Sequence, residues 1–425
     1  MRAWANLYPW DVDGDPAAAG RIAGLGLTGV TLAASYHAVR AVTPFHPRHR
    51  IVTRDAAAYY RADPSRWRGT LLRPARLRPA ASRPAGSFER AAAALRSSGL
   101  AVTAWAVLTH NDRLGTVVPS AAVRNAFGDT YPWALCLAAP AVREYAVTLA
   151  GEVAALPEAD AVEFEACGWY GVEHLSAHDK TAGAAGGAAQ WLLSVCFCVA
   201  CQREYAAAGA DPAWLAASVR AAVDALAGGA AAGPAAAGPA AAGPAAAGGA
   251  AAGGAAAEDA PAGDATAGGA APGPGMKALP GAVAGVLDGV RADLATRFQR
   301  EVVAAARDAA PGKPVYLHVH PDPRATGANP GYDPAALAGV AGLVLSCWNP
   351  ATAPALVTRA EATAPQGTAV AASLLAVAGL GGDPATLPAQ AAAVHAARAT
   401  ELRLYHAGLA SAGDLAAIRA FCARV

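Results

Sequence analysis

A chain of 425 residues is long enough to close one barrel-sized domain, with insertions, around a large core. Lys and Arg total 33 against 32 Asp and Glu, and the resulting net charge of +1 sets up no long-range field that would gather nucleic acid or an anionic membrane. The 54 % apolar content is inflated by alanine, and no window reaches the roughly 20 bulky apolar residues of a membrane span.

The opening MRAWANLYPWDVDGD meets tryptophan, proline and aspartate before an apolar h-region can form. It does not read as a signal peptide, and the chain is expected to be cytoplasmic. In chain order, β-like runs fall at residues 2–8 (RAWANLY), 29–35 (GVTLAAS), 100–109 (LAVTAWAVLT) and 160–167 (DAVEFEAC). Four more follow at 314–320 (PVYLHVH), 342–348 (GLVLSCW), 368–376 (TAVAASLLA) and 401–407 (ELRLYHA). Eight strands separated by helical stretches are the count of a closed α/β barrel, the (β/α)8 or TIM-barrel class.

Between the fourth and fifth runs lie nearly 150 residues, far beyond an ordinary crossover. Helices are expected there at about 187–206, 212–227 and 278–309. From Gly228 to Gly275 the text is a degraded GPAAA or GGAAA repeat. Gly and Pro every few residues forbid a continuous helix, and methyl groups bury too little area to offset chain entropy, so this segment is expected to be a disordered linker. The organisation is then 1–227 for the first part of the barrel with its helical insertion, 228–275 for the linker and 276–425 for the second part.

Strand parity sorts the side chains. Val162, Phe164 and Ala166 share one face while Glu163 and Glu165 take the other, and Leu317 and Val319 oppose Tyr316, His318 and His320. Likewise Leu402 and Leu404 oppose Arg403 and Tyr405, and Ala5 and Leu7 oppose Asn6 and Tyr8. The polar face is expected to line the lumen. Polar residues also thicken toward the C-terminal ends of the runs, the face on which such barrels build their sites.

The stretches LCLAAPAVREYAVTLAGEVA, VEFEACGWYG and HLSAHDK, over roughly residues 100–206, resemble the broad group of glycoside-hydrolase-like (β/α)8 proteins. The resemblance implies a sugar-binding barrel. A major retaining clan of that group places an acid at the fourth strand and a nucleophilic glutamate at the seventh, whereas AVAASLLAVAGL carries no carboxylate.

Glycosidic cleavage needs one carboxyl group to protonate the leaving oxygen and another to attack or to activate water, about 5 to 10 Å apart. Glu165, at the inward end of the fourth strand, is the first candidate, with Asp112, Glu173, Asp179 and Asp322 for the second role. An inward glutamate paired with Arg403 is the competing structural reading, favoured for the deeper Glu163. Sugar rings pack their C–H faces on aromatic rings, which nominates Trp10, Tyr36, Trp169, Tyr170 and Trp348, together with His37, His110, Asn111, His318 and His320.

Seven cysteines is an odd number, and three stand together as Cys196, Cys198 and Cys201. Three soft ligands in six residues suit one tetrahedral structural zinc, completed by His178, His174, Cys136 or Cys167; buried thiols or a redox pair is the alternative. Two further functions stay open: a divalent-metal hydrolase or sugar isomerase built on His318 and His320, and a barrel that binds sugar without catalysis.

Overall fold

A computed structural model describes residues 1–75, 86–172, 187–227 and 279–424. The sequence expected around 228–275, together with Glu173, His174, His178 and Asp179, lies outside the described residues. All eight expected barrel strands are present: β1 (Arg2–Leu7), β2 (Gly29–Tyr36), β3 (Ala101–Val107), β4 (Ala161–Glu165), β5 (Val315–His318), β6 (Gly342–Ser346), β7 (Ala369–Leu375) and β8 (Glu401–Tyr405). Neighbours pair in parallel from β1 round to β8, and β1 also pairs with β8, with Trp4 opposite Arg403, which closes the sheet. It is a TIM-type barrel.

Crossover helices α1 (Ala18–Ala23), α2 (Ser87–Ser97), α3 (Pro140–Ala154), α4 (Gly281–Ala309), α5 (Ala353–Thr363), α6 (Leu387–Ala396) and α7 (Ala412–Cys422) surround the strands. Between β5 and β6 only a 3-10 turn, Pro334–Leu337, takes the place of a helix. The long α4 starts after Pro280 and buries Val283, Leu287, Leu294, Phe298, Val302 and Ala306, a helical stripe that faces the barrel. Its far end runs against α3, where a Cβ on Gly151 would lie 3.4 Å from the Ala305 carbonyl oxygen; small residues set this close approach.

Parity holds as expected. The outward Ala5, Leu7, Val162, Phe164, Leu317, Leu402 and Leu404 are fully buried under the helices. At roughly 25 cal/mol per Å² of apolar surface, each buried leucine or phenylalanine stabilises the fold by about 2 kcal/mol, while each alanine contributes far less. The alanine-rich core therefore relies on many close contacts.

The expected single helix at 187–206 is instead two, Gly187–Leu193 and Val199–Ala207. The break falls on Ser194 to Cys198, where the Ser194 hydroxyl donates back to the Gln190 carbonyl and its oxygen accepts the Val172 amide. Two features absent from the strand list are short hairpins, Val39–Val42 with Ile51–Arg54 and Ala122–Arg124 with Thr130–Leu135. Among the described residues no helix is long and apolar enough to cross a membrane.

Candidate functional site

Low in the lumen the polar side chains neutralise one another. Arg403 Nε donates to Glu163 Oε2 at 3.1 Å and its Nη1 to Glu401 Oε2 at 3.1 Å. His318 Nε2 lies 2.7 Å from Glu163 Oε1, and the Thr31 hydroxyl donates to Oε2 at 3.3 Å. The Arg403 guanidinium also lies over the Trp4 and Tyr316 rings. Burial alone would push the Glu163 carboxyl up, but Arg403 and His318 overcome it and hold it down at about 2. Glu163 is thus the anchor of a buried ion network.

Glu165 sits two residues further along the same face and has no such partner. Burial pushes its carboxyl up, His318 and the Trp105 indole N–H draw it back, Glu163 adds repulsion, and it settles at about 7. The Trp105 N–H is close enough to favour the anion yet makes no hydrogen bond of full geometry. A carboxyl group poised near neutrality at the end of a barrel strand is suited to giving up a proton in catalysis.

The backbone turns sharply just beyond it. Ala166 adopts φ +52, the left-handed region, which costs a residue with a Cβ about 1 kcal/mol. The Thr109 hydroxyl donates to the Ala166 carbonyl at 2.7 Å and to the Gly168 carbonyl at 3.0 Å, and so pins the turn. A Cβ at Gly168 would strike Pro330 at 2.6 Å, so the chain can follow this path only with glycine there.

Around Glu165 the mouth is aromatic. Tyr36 meets Trp105 edge-on at 4.8 Å and Tyr8 at 5.1 Å. Tyr8 stacks on His406 at 4.4 Å, and Tyr405 meets His406 at 4.3 Å and the half-buried Trp348 at 4.8 Å. Burial raises the Tyr36 and Tyr405 hydroxyls, and the Glu165 charge raises them further, so both stay protonated donors. A second run of rings leaves Tyr36 through His37 and His110 to Tyr170, whose hydroxyl lies 3.1 Å from His110 Nδ1.

Other sequence candidates are placed differently. Asn111 caps the short helix Asp112–Val117 by accepting the Leu114 amide, and burial pushes the Asp112 carboxyl up, with Oδ1 unpartnered. No hydrogen bond or ion pair joins Asp112 to Glu165. Asp322 accepts the Arg324 amide and donates its own N–H to His320 Nδ1, which makes it a turn residue. Trp169 lies under α4, its ring against the Arg291 guanidinium at 4.5 Å and its N–H on the Arg291 carbonyl. His320 is buried with Nε2 unpartnered, and desolvation lowers it to about 4.

Sequence reasoning notes His406 only as one of the polar residues at the strand ends and passes over Trp105, which is central to the mouth. Inward parity with Thr103 and Val107 is the signal that nominates it. Shallow clefts at the opposite end, lined by Met1, Thr28 and Cys422 and by His395, Arg398 and Thr368, contain no buried side-chain atom without a partner. Several unpartnered buried atoms, on Asn6, Trp105, His320 and His406, belong instead to the inward strand faces and C-terminal strand ends.

Away from the mouth, Cys136 at the end of the second hairpin joins the three clustered cysteines. Its Sγ lies 3.5 Å from Cys198, 3.4 Å from Cys201 and 3.7 Å from Cys196, and all four sulfurs fall within 4.8 Å of one another. Four thiolates at about 2.3 Å from one tetrahedral ion stand about 3.8 Å apart, so the set fits a metal. The amides of Arg124 and Cys198 both donate to Cys196 Sγ at 3.4 Å. Hydrogen bonds shared among the sulfurs push the Cys198 thiol down and the Cys136 and Cys201 thiols up, as expected of groups that share protons. Cys167 stands alone, and burial raises its thiol.

No family model matches the sequence, and no curated protein matches it. Solved structures do. An α-L-fucosidase isoenzyme 2 from Paenibacillus thiaminolyticus matches all of this chain and 49 % of its own length at TM-score 0.54 and 13 % identity. A cold-adapted β-galactosidase from Rahnella sp. R3 matches all of this chain and 55 % of its own at TM-score 0.53 and 10 % identity. The catalytic domain of a β-amylase from Paenibacillus polymyxa matches 99 % of this chain and 97 % of its own at TM-score 0.51 and 11 % identity. The chain therefore spans about half of the first two and nearly all of the third. At these identities the likeness establishes a barrel fold shared with glycoside hydrolases.

Proposed function

We propose that the protein is a carbohydrate-active hydrolase that cleaves a glycosidic bond at the C-terminal face of its barrel, with Glu165 as general acid. The observation that carries this reading is Glu165 itself: a buried carboxyl group held at about 7 in a mouth of aromatic rings and neutral hydroxyls. Protonated, it gives its proton to the glycosidic oxygen as the bond to the anomeric carbon breaks, and the leaving alcohol departs neutral. Burial is the main cause that keeps Glu165 protonated, and Glu163, which keeps its charge because Arg403 and His318 pair with it, adds a smaller repulsion.

A second carboxylate must attack or activate water. Asp322 is engaged in its own turn, so the role falls to Asp112, whose Oδ1 is unpartnered, or to Glu173 or Asp179. Turnover of a panel of aryl glycosides tests this. Glu165→Gln should lower kcat by orders of magnitude while binding persists, and Asp112→Asn, Glu173→Gln and Asp179→Asn should separate the candidates for the second role. Residual activity that merely follows the folded fraction of Glu165→Gln would remove Glu165 from the chemistry.

A second reading, a barrel that binds sugar without cleaving it, is favoured by β7, which ends in Ser373, Leu374 and Leu375 with no carboxylate. The divalent-metal alternative is weakened because His318 is committed to Glu163, and because the four cysteines form the one metal-competent cluster among the described residues. Those cysteines fit a structural zinc that ties the second hairpin to the helical insertion. Bound there, the ion would be a structural cross-link.

A further inference from the structure

The residue that follows β8, His406, combines two features that the proposed acid does not explain. Its backbone is left-handed, at φ +53 and ψ 59, and its side chain is buried with both ring nitrogens lacking a hydrogen-bond partner. Histidine tolerates the left-handed region better than most residues, so the backbone alone would mean little. Two orphaned nitrogens on one buried ring are a different matter, since buried polar groups in folded proteins are almost always paired.

The ring is fixed from several sides. It stacks on Tyr8 at 4.4 Å, meets Tyr405 at 4.3 Å and reaches across the mouth to within 5.6 Å of the Trp105 ring. Asn6 Oδ1, on β1 two residues before Tyr8, is also buried without a partner, and the Trp105 N–H has only its loose approach to Glu165. Strands β1, β3 and β8 thus bring unsatisfied donors and acceptors to one end of the lumen.

The cation nearby is already paired, Arg403 with Glu163 and Glu401, while Glu163 also has His318 and Glu401 also has Arg2; of these acids Glu165 is the one left without a cation. Desolvation, with a small contribution from His37, holds the imidazole down at about 3. A neutral imidazole carries one N–H donor and one acceptor nitrogen. An anionic ligand would find no unpaired cation at these groups, whereas hydroxyl groups would satisfy them in both directions.

We infer that the mouth binds an uncharged, polyhydroxylated ring through His406, whose two nitrogens supply one donor and one acceptor to its hydroxyl groups. The inference rests on the carbohydrate reading of this face but not on hydrolysis. It assigns to the residue after β8 the selection of neutral sugars over sugar acids.

Calorimetric titration of the full chain with the methyl glycosides of D-galactose, L-fucose and D-glucose, against D-galacturonate and D-glucuronate, tests it. At least one uncharged glycoside should bind, and the acids about tenfold more weakly or worse. His406→Phe keeps the stacked ring and removes both nitrogens; it should weaken binding about tenfold or more, with part recovered in His406→Gln, which restores a donor and an acceptor. In the unmodified protein the imidazole signals of His406 should shift on titration, so the inference remains testable even if a variant folds poorly. Wild-type protein that binds none of the glycosides, acids that bind as well, unshifted imidazole signals on binding, or undiminished affinity in folded His406→Phe would each overturn it. His406-dependent binding without turnover would leave it standing while hydrolysis falls; Glu165-dependent turnover with an unchanged KM in His406→Phe would do the reverse.

Discussion

Glu163 and Glu165 are separated by one residue, face the same lumen and should respond to charge removal in opposite directions. Glu165 is pushed from the usual 4.5 to about 7, so the folded chain keeps a proton that the unfolded chain has lost. Stability therefore falls as pH rises through the interval from about 4.5 to 7, and the deficit is complete above it. At about 1.4 kcal/mol for each tenfold change in acid dissociation, the deficit is about 3 kcal/mol. Glu165→Gln, uncharged at every pH, should be more stable than wild type by up to about 3 kcal/mol at pH 8 and close to it at pH 4. Glu163 is held from 4.5 down to about 2, so its contribution is present above pH 4.5 and is lost as pH falls toward 2. Glu163→Gln leaves Arg403 and His318 short of a buried partner and should cost about 3–5 kcal/mol at pH 7. Urea unfolding of the three proteins from pH 4 to 8 reads both effects. A Glu165→Gln variant no more stable than wild type at pH 8, or a gain that persists undiminished at pH 4, would refute the account of a desolvated, unpaired carboxyl group.

Purified protein should carry about one equivalent of zinc by elemental analysis, and Cys136→Ser or Cys198→Ser should release it and lower the thermal midpoint; metal-free protein with four freely titrating thiols would exclude the site. Arg398 stands in the left-handed position after α6 at φ +80, with its amide donating to the His395 carbonyl, and its contact with Glu361 is exposed at 3.6 Å. Arg398→Gly should therefore stabilise the protein by about 0.5–1 kcal/mol in chemical denaturation, a gain that strain-free backbone there would not give. Replacing residues 228–275 by a short flexible loop should leave the thermal midpoint nearly unchanged, as the Ala/Gly/Pro repeat suggests, and a cooperative loss of folding would count against that reading of the sequence.

All eight barrel strands were legible because each combines an apolar run with a period of two, and that period is a local property of the chain. It was enough to turn Glu163, Glu165, His318 and Arg403 inward before any contact was known. The same local logic read 187–206 as one helix, since nothing in WLLSVCFCV announces that the Ser194 hydroxyl will cap one segment and accept the Val172 amide. Nor does spacing along the chain bring Cys136, 60 residues away, to Cys196; the second hairpin does so by running past the break in the insertion. The difference between the two glutamates was legible in part, since the deeper Glu163 was expected to pair with Arg403 and does so; the rest of its partners, and the lack of any for Glu165, were not. Side-chain parity is the same for both, but only closure of the barrel carries Arg403 from β8 and His318 from β5 to Glu163, while leaving Glu165 with Trp105 and the tyrosines. Alternation along a strand determines which way a side chain points; its charge state depends on what the opposite wall of the barrel presents.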